Sequence, residues 1–270
     1  MSGTTSGTTS GTTGGPTGGT TGATRWNERP LDVAEVDLGP GVRAGFSSRA
    51  GGVSTGRWSA LNLGYHVDDD WDRAYANRSI LGRWLGAPIT MTSQVHGSTV
   101  AEVTRYQPST RRKADAMVST AREVGLGVMV ADCVPVLLAD AEAGVVATAH
   151  AGRGGLVAGV VPNAVAAMLE RGARPGAIRA AVGPSICGRC YEVPPGMRDD
   201  VEAAVPGTGG TTSWGTPSVD IARGVLAQLA EAGVEHVEHV DRCTYEDERY
   251  FSYRRDGVTG RFAGVVALVG

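Results

Sequence analysis

Apolar residues gather in three successive short runs in the middle of the chain, at 127–131, 134–139 and 144–149. Each is of strand length and continuous rather than alternating, which predicts strands covered on both faces. The interruption Asp140-Ala141-Glu142-Ala143-Gly144 is a turn signal. Pro135, with no N–H to donate, has to lie at an edge, a strand start or a bulge. Further strand candidates lie at 42–47, 90–95, 99–103, 178–182, 237–240 and 263–269. Helical spacing covers 74–85, with Tyr75, Ile80, Trp84 and Leu85 as apolar positions and Pro88 just past its end. A second helix is expected over 156–170, where Pro162 either kinks it or marks its first turn. A third lies near 197–204. A fourth spans 219–232, with Val219, Ala222, Val225, Leu226 and Leu229 on one face. Segments 48–54 and 206–217 are rich in Gly, Ser and Thr and read as loops. Strands and helices are interspersed without a dominant tandem βαβ repeat. The expectation is an α/β (α+β) single domain of layered mixed β-sheets flanked by helices. Residues 1–24 are mostly Gly, Thr and Ser with approximate GTT repeats, which predicts a disordered tail before a single globular domain over 25–270.

Composition narrows the function classes. A net charge of −3 gives no electrostatic reason to expect nucleic acid or an anionic membrane as partner. No run approaches the ~18 consecutive apolar residues of a membrane helix. The N-terminus has neither a basic flank nor an apolar h-region, so the expected location is cytoplasmic. Four cysteines in 270 residues are no disulfide framework and read as reduced thiols.

Candidate chemistry comes from where the strands end. Cys133 follows the first apolar run; the chain then runs down, turns, and climbs to His150. If the three runs are antiparallel neighbours, up–down–up, Cys133 and His150 return to the same sheet end. His96 closes the candidate strand 90–95. One thiolate and two imidazoles with an open fourth position suit a catalytic zinc, whose bound water would be acidified toward neutral pH. Against this stands plain burial, the commoner role of a lone His or Cys on an apolar segment. The ligands are not in closely spaced pairs, which disfavours a structural zinc finger. Cys187-Gly188-Arg189-Cys190 is a C-x-x-C pair standing alone, and reads as two ordinary thiols. Gly152-Arg153-Gly154-Gly155 precedes a helix and offers an anion site to which Arg153 can add charge; the alternative is a surface arginine. Of Arg254 and Arg255, one is expected to face solvent and the other the site, unless both belong to a turn with an Arg–Asp surface pair.

Taken in order, the segments Ser48-Arg49-Ala50-Gly51-Gly52-Val53-Ser54, Leu61-Asn62-Leu63-Gly64, Gln94-Val95-His96-Gly97, Ala114-Asp115-Ala116-Met117-Val118, Ala131-Asp132-Cys133-Val134-Pro135, His150-Ala151-Gly152, Gly183-Pro184-Ser185-Ile186, Cys190-Tyr191-Glu192-Val193 and Phe251-Ser252-Tyr253-Arg254-Arg255 resemble the YfiH-like, laccase-domain family, once called multicopper polyphenol oxidoreductases. The resemblance covers residues 42–270. It implies a single α/β domain and a Zn2+ site of His96, Cys133 and His150. It also implies purine nucleoside phosphorolysis (adenosine, inosine, S-methyl-5'-thioadenosine) with adenosine deaminase activity, the partners being a small-molecule nucleoside and phosphate. By position, Arg49 and Arg255 are candidates for holding phosphate. Asp115, Asp132 and Gln94 are candidates for proton handling or for orienting a ligand imidazole, and Asn62 and Arg153 for substrate binding. One departure stands out: the family's His-Ala-Gly-Trp-Arg-Gly is here His150-Ala151-Gly152-Arg153-Gly154-Gly155, with Arg153 in the Trp position and Gly154 in the Arg position.

Other readings stay open at this point. A copper polyphenol oxidase needs about ten imidazoles for a four-copper set by general ligand preference. Five histidines are present, so Cu2+ replacing zinc at one site is the form that reading can take. A cysteine hydrolase would use Cys133 as nucleophile with His150 or His96 as base. An amidohydrolase editing peptidoglycan precursors and a non-enzymatic binding protein complete the set.

Overall fold

The two apolar runs on either side of the 140–144 turn pair in antiparallel register, Pro135 opposite His150 and Asp140 opposite Val145, and form the centre of a six-stranded sheet. The computed structural model describes residues 1–3, 30–108 and 112–269, so the tail expected over 1–24 lies, but for its first three residues, outside the described residues. In chain order the strands are β1 (Val33–Glu35), β2 (Val42–Ser47), β3 (Ile89–Thr90), β4 (Val100–Glu102), β5 (Ala116–Ser119), β6 (Gly125–Val130), β7 (Val134–Asp140), β8 (Val145–Ala151), β9 (Arg179–Val182), β10 (Gly209–Thr211), β11 (Pro217–Val219), β12 (His236–His239) and β13 (Phe262–Leu268). The helices are α1 (Trp71–Leu85), α2 (Arg153–Val157), α3 (Val160–Leu169), α4 (Pro195–Ala204), α5 (Ile221–Glu231) and α6 (Tyr253–Asp256).

One sheet runs β1-β2-β13-β6-β3 and the other β12-β9-β7-β8-β5-β4. Their strands alternate between two apolar faces. On β7, Val136 and Leu138 pack under α2, α3 and α5 with Leu156, Val161, Met168 and Leu229. Leu137 and Ala139 point the other way, between the sheets, onto Phe46, Val128, Phe262 and Val266. On β13, Val265 and Ala267 turn instead to α1, meeting Ile80, Leu81 and Leu85. The result is four layers, α1 over one sheet, that sheet over the other, and α2, α3 and α5 over the second. Strands covered on both faces are what the continuous apolar runs predict. Phe46 fits between the sheets because Gly183 and Gly264 leave it room: a Cβ there would come within 2.4 Å and 2.9 Å of its ring.

Several expectations are corrected. The three middle runs are not neighbours in one sheet: β6 belongs to the five-stranded sheet, and only β7 and β8 pair. The strand expected over 90–95 ends at Thr90: beyond it the backbone leaves β6 and makes a single bridge to Lys113, Ser93 donating to the Arg112 carbonyl and accepting from the Ala114 amide, while Gln94 holds Met129 through its side chain. The helix expected over 156–170 starts at Arg153 and breaks at Gly159, which adopts φ +78° and separates α2 from α3; Pro162 then falls in the first turn of α3. The loop expected over 206–217 contains β10, which pairs with β11. Asp220 caps α5 by accepting from the Arg223 amide, so Val219 ends a strand instead of starting the helix.

Candidate metal centre

Two of the three expected ligands sit where the chain steps from one sheet to the other. His96 lies on the connection from β3 to β4, and Cys133 on the connection from β6 to β7. His150 is the sixth residue of β8. Both connections turn sharply, and the turning residues His96 (φ +60°) and Asp132 (φ +92°) adopt the left-handed conformation that non-glycine residues rarely take. Gly152 packs against the pair so closely that a Cβ would lie 2.6 Å from His96 Cδ2 and 3.0 Å from Cys133 Sγ. Gly154 and Gly155 likewise press on the His96 and Gly97 carbonyls. This packing gives the Gly-rich stretch after His150 a reason independent of anion binding.

One carboxylate holds the arrangement. Asp115 Oδ1 accepts from the His96 amide at 2.8 Å and from His150 Nδ1 at 2.9 Å, while Oδ2 accepts from the Gly97 amide at 2.8 Å. The Val95 amide lies 3.1 Å and 3.2 Å from the two oxygens. Asp115 thereby fixes the loop that carries His96 and the ring orientation of His150, and leaves His150 Nε2 facing Cys133. The ligand atoms of His96, Cys133 and His150 lie within 4.8 Å of one another, with His96 Nε2 3.8 Å from Cys133 Sγ. Tetrahedral bonds of about 2.0–2.3 Å place an imidazole nitrogen and a thiolate sulfur about 3.6 Å apart, so the three side chains fit a single metal ion.

Electrostatics favour the ligating state of Cys133 and leave His150 carrying a proton that a metal ion would displace. Burial opposes ionisation of Cys133, but the charges and hydrogen bonds of His150 and His96 outweigh it and hold the thiol down at about 6. Burial disfavours a charged His150, yet the Cys133 thiolate and Asp115 raise it to about 9. Asp115 is also buried, and His150 and three backbone amides nonetheless keep it below the usual carboxylate range. Without metal, Cys133 and His150 thus form a thiolate–imidazolium pair near neutral pH. Alkylation of Cys133 by iodoacetamide in metal-stripped protein is expected to rise with pH through about 6 and be level by pH 7.5, where an ordinary thiol is still climbing toward its higher value. Peptide mass spectrometry over pH 5–9 checks this, and a midpoint near that of free cysteine contradicts it.

The triad opens into a cavity of about 720 Å³, whose other walls include His66, Gln94, Asp132, Ile186, Tyr191, Tyr253, Arg254 and Arg261. Asp132 accepts from Thr244 Oγ1 at 2.6 Å and from the Arg254 amide at 2.7 Å, and so anchors the rim next to the three candidate ligands. The Arg254 guanidinium lies 5.1 Å from the Tyr191 ring centroid and donates to the Glu192 carbonyl. Gln94 grips both backbone groups of Met129 at the end of β6, at 2.7 Å and 2.9 Å.

A sequence profile described as multi-copper polyphenol oxidoreductase laccase matches residues 43–269. The chain belongs to this family. A purine nucleoside phosphorylase of Streptomyces coelicolor is 48% identical over 240 residues, covering 87% of this chain and 99% of the relative. A purine nucleoside phosphorylase of Streptomyces griseus is 51% identical over 228 residues, covering 83% and 93%. The crystal structure of Neisseria meningitidis protein NMB0706 superposes with a TM-score of 0.79 at 33% identity, covering 89% of this chain and 99% of that one.

In this laccase-family member the site residues expected from sequence divide into two groups. His96, Cys133, His150, Gln94 and Asp132 line one cavity, with Asp115 directly behind His150. Arg49, Asn62, Arg153 and Arg255 do not line it. Arg49 donates to the Ser59 carbonyl and lies over the Phe251 ring. Asn62 spends its amide on Gly64, Asp69 and the Arg261 backbone, and so places Arg261 in the wall. Arg153 interacts with the Tyr191 hydroxyl. Arg255 ties the carbonyls of Thr244 and Tyr250 together and pairs with Asp256; its neighbour Arg254 is the arginine that reaches the cavity. Sequence reasoning gave no role to Tyr191 or Tyr253, set Arg254 aside in favour of Arg255, and gave none to Arg261 or His66. The matching segments contain the first three, so the signal for them was present. Among the described residues two groups of His, Cys, Asp and Glu gather closely enough for a metal, and only this one contains histidine. Two imidazoles, those of His96 and His150, gather in it, fewer than a multicopper cluster uses.

Proposed function

We propose that this cavity binds a purine nucleoside and phosphate, cleaves the N-glycosidic bond by phosphorolysis, and holds zinc at His96, Cys133 and His150. The observation that carries the reading is the joining, in one cavity, of a single-ion ligand set to a wall of Tyr191, Tyr253 and Ile186 with Arg254 and Arg261 beside it. Aromatic and aliphatic faces suit a flat purine, and guanidinium groups suit the oxyanions of phosphate. Relatives named purine nucleoside phosphorylase at about half identity support the same chemistry. In the reaction a phosphate oxygen forms a bond to C1' of the ribose as the C1'–N9 bond breaks, and the bond pair leaves with the base, which takes up a proton. Arg254 and Arg261 hold the attacking phosphate, Tyr191 and Tyr253 orient the base, and the half-enclosed cavity limits competing water. Zinc, when bound, supplies a Lewis acid that polarises oxygen or acidifies water.

Deamination of adenosine at C6 is the accompanying activity, supported by the same ligand set with its open fourth position. Among the described residues Asp132 is the carboxylate that lines the cavity, and it serves as the proton carrier. The four cysteines are unpaired, which suits a reducing cytoplasm. The decisive measurement offers adenosine, inosine and S-methyl-5'-thioadenosine to zinc-loaded protein with and without phosphate. The expected products are free base and a pentose 1-phosphate, formed only with phosphate. Base release independent of phosphate, or turnover unchanged in metal-stripped protein, overturns the reading.

A further inference from the structure

The C-x-x-C pair does not stand alone. The chain returns to it 53 residues beyond Cys190, at Cys243, where Ser185 and Cys243 form a parallel bridge, Ser185 donating to the Arg242 carbonyl and accepting from the Thr244 amide. The Cys187 amide points at Cys243 Sγ, 3.4 Å away. Cys190 Sγ lies 3.4 Å from Glu246 Oε1. The Cys190 and Tyr191 amides both donate to the Cys187 carbonyl, which closes the C-x-x-C turn and points its two sulfurs the same way. The ligand atoms of Cys187, Cys190, Cys243 and Glu246 all lie within 4.8 Å of one another, and no disulfide joins the cysteines. Gly188 is required by this packing, since a Cβ would lie 2.7 Å from Asp220 Cβ.

We propose that Cys187, Cys190, Cys243 and Glu246 form a second, structural zinc site that staples the 185–191 segment to the 243–246 segment. Three thiolates and a carboxylate make a closed four-ligand set for an ion that prefers soft and borderline donors in tetrahedral geometry. Tetrahedral bonds place thiolate sulfurs about 3.8 Å apart and a sulfur and carboxylate oxygen about 3.6 Å apart; here Cys190 Sγ and Glu246 Oε1 are 3.4 Å apart and all four ligand atoms lie within 4.8 Å of one another. Glu246 is half-exposed and its present partner Arg189 stands 3.7 Å away in solvent, so turning to an ion costs it little. The location gives the staple a purpose. Ile186 donates to the Asp132 carbonyl and Thr244 Oγ1 to the Asp132 carboxylate, and each of these residues adjoins a cysteine of the cluster. Fixing the two segments therefore fixes Asp132, the turn that delivers Cys133. The ion takes no part in the chemistry of the cavity, and its presence does not depend on which substrate that cavity takes.

The test is metal analysis of the full-length protein, purified under reducing conditions and reconstituted with zinc alone. Mass-spectrometric metal counting is expected to find two zinc ions per chain in the parent, one in Cys187→Ser/Cys243→Ser, and one in Cys133→Ala. Cobalt(II) substitution separates the two: Cys187→Ser/Cys243→Ser loses most of the thiolate-to-cobalt charge-transfer absorption, whereas Cys133→Ala keeps most of it. Should the double variant fail to fold, stepwise blocking of thiols in the parent with a mercurial is expected to release one zinc as Cys187, Cys190 and Cys243 are modified. An unchanged metal count in the double variant overturns the proposal. So does a parent that takes up a single zinc and keeps it in Cys187→Ser/Cys243→Ser, or a disulfide within the cluster in the zinc-reconstituted protein; a single zinc that the double variant loses upholds the staple and counts against the His96 site instead.

Discussion

A Cys133→Ala chain is expected to fold, to lose the ion held with His96 and His150, and to lose phosphorolysis by far more than the roughly 10–100-fold that follows loss of an outer hydrogen-bond partner. Folding survives because the sulfur is half-buried at a loop and adds little to the packing between the sheets. The ion is lost because two imidazoles on separate segments cannot replace the charge of the thiolate, which compensates an ion in a partly buried site. Metal counting together with kcat/KM on inosine checks both halves. Undiminished turnover refutes the metal-dependent mechanism, while a folded, metal-retaining but inactive protein points to a nucleophilic cysteine.

Asp115→Asn carries the second-largest effect. Asparagine keeps one acceptor oxygen and presents an NH2 where Oδ2 or Oδ1 now receives an amide, so at least one of the Val95, His96 and Gly97 donors faces another donor. The buried mismatch costs about 1–3 kcal/mol of stability. His150 loses the anionic partner that fixes its Nδ1–H tautomer, and metal affinity is expected to fall by about 10–100-fold. Competition with a zinc chelator and a thermal melt read the two consequences separately. A variant that matches the parent in affinity would show that the carboxylate does not orient the ligand.

How far the chain could be read in advance depended on whether the signal was local. The continuous apolar runs that became β6, β7 and β8 lie in single stretches of sequence, and so does the turn between Asp140 and Gly144. The placement of Cys133 beside His150 followed from the β7–β8 register alone. What could not be read was partnership over distance. Nothing near β6 in sequence says that it pairs with β13 and β3 rather than with β7. Of two adjacent arginines, only the carbonyls of Thr244 and Tyr250 decide that Arg255 turns inward to brace the loop, leaving Arg254 for the cavity. Cys243 was invisible as a partner of Cys187 and Cys190 for the same reason. The glycines after His150 suggested an anion cradle locally, but their neighbours His96, Gly97 and Cys133 belong to other segments.

His96 and Cys133 ride on two of the passages between the sheets, β3 to β4 and β6 to β7, whereas His150 belongs to one sheet outright. Ligand spacing is therefore a gauge of how the layers are seated on each other. Close-packed interiors transmit displacement rather than absorb it. A bulky side chain at Gly183, across the seam from Phe46, would push the sheets apart at that ring and so alter the distance between sulfur and imidazole without touching either. Core and candidate site in this protein thus share one scale, and a misfit in the hydrophobic seam is expected to register as a change in how tightly the proposed ion is gripped.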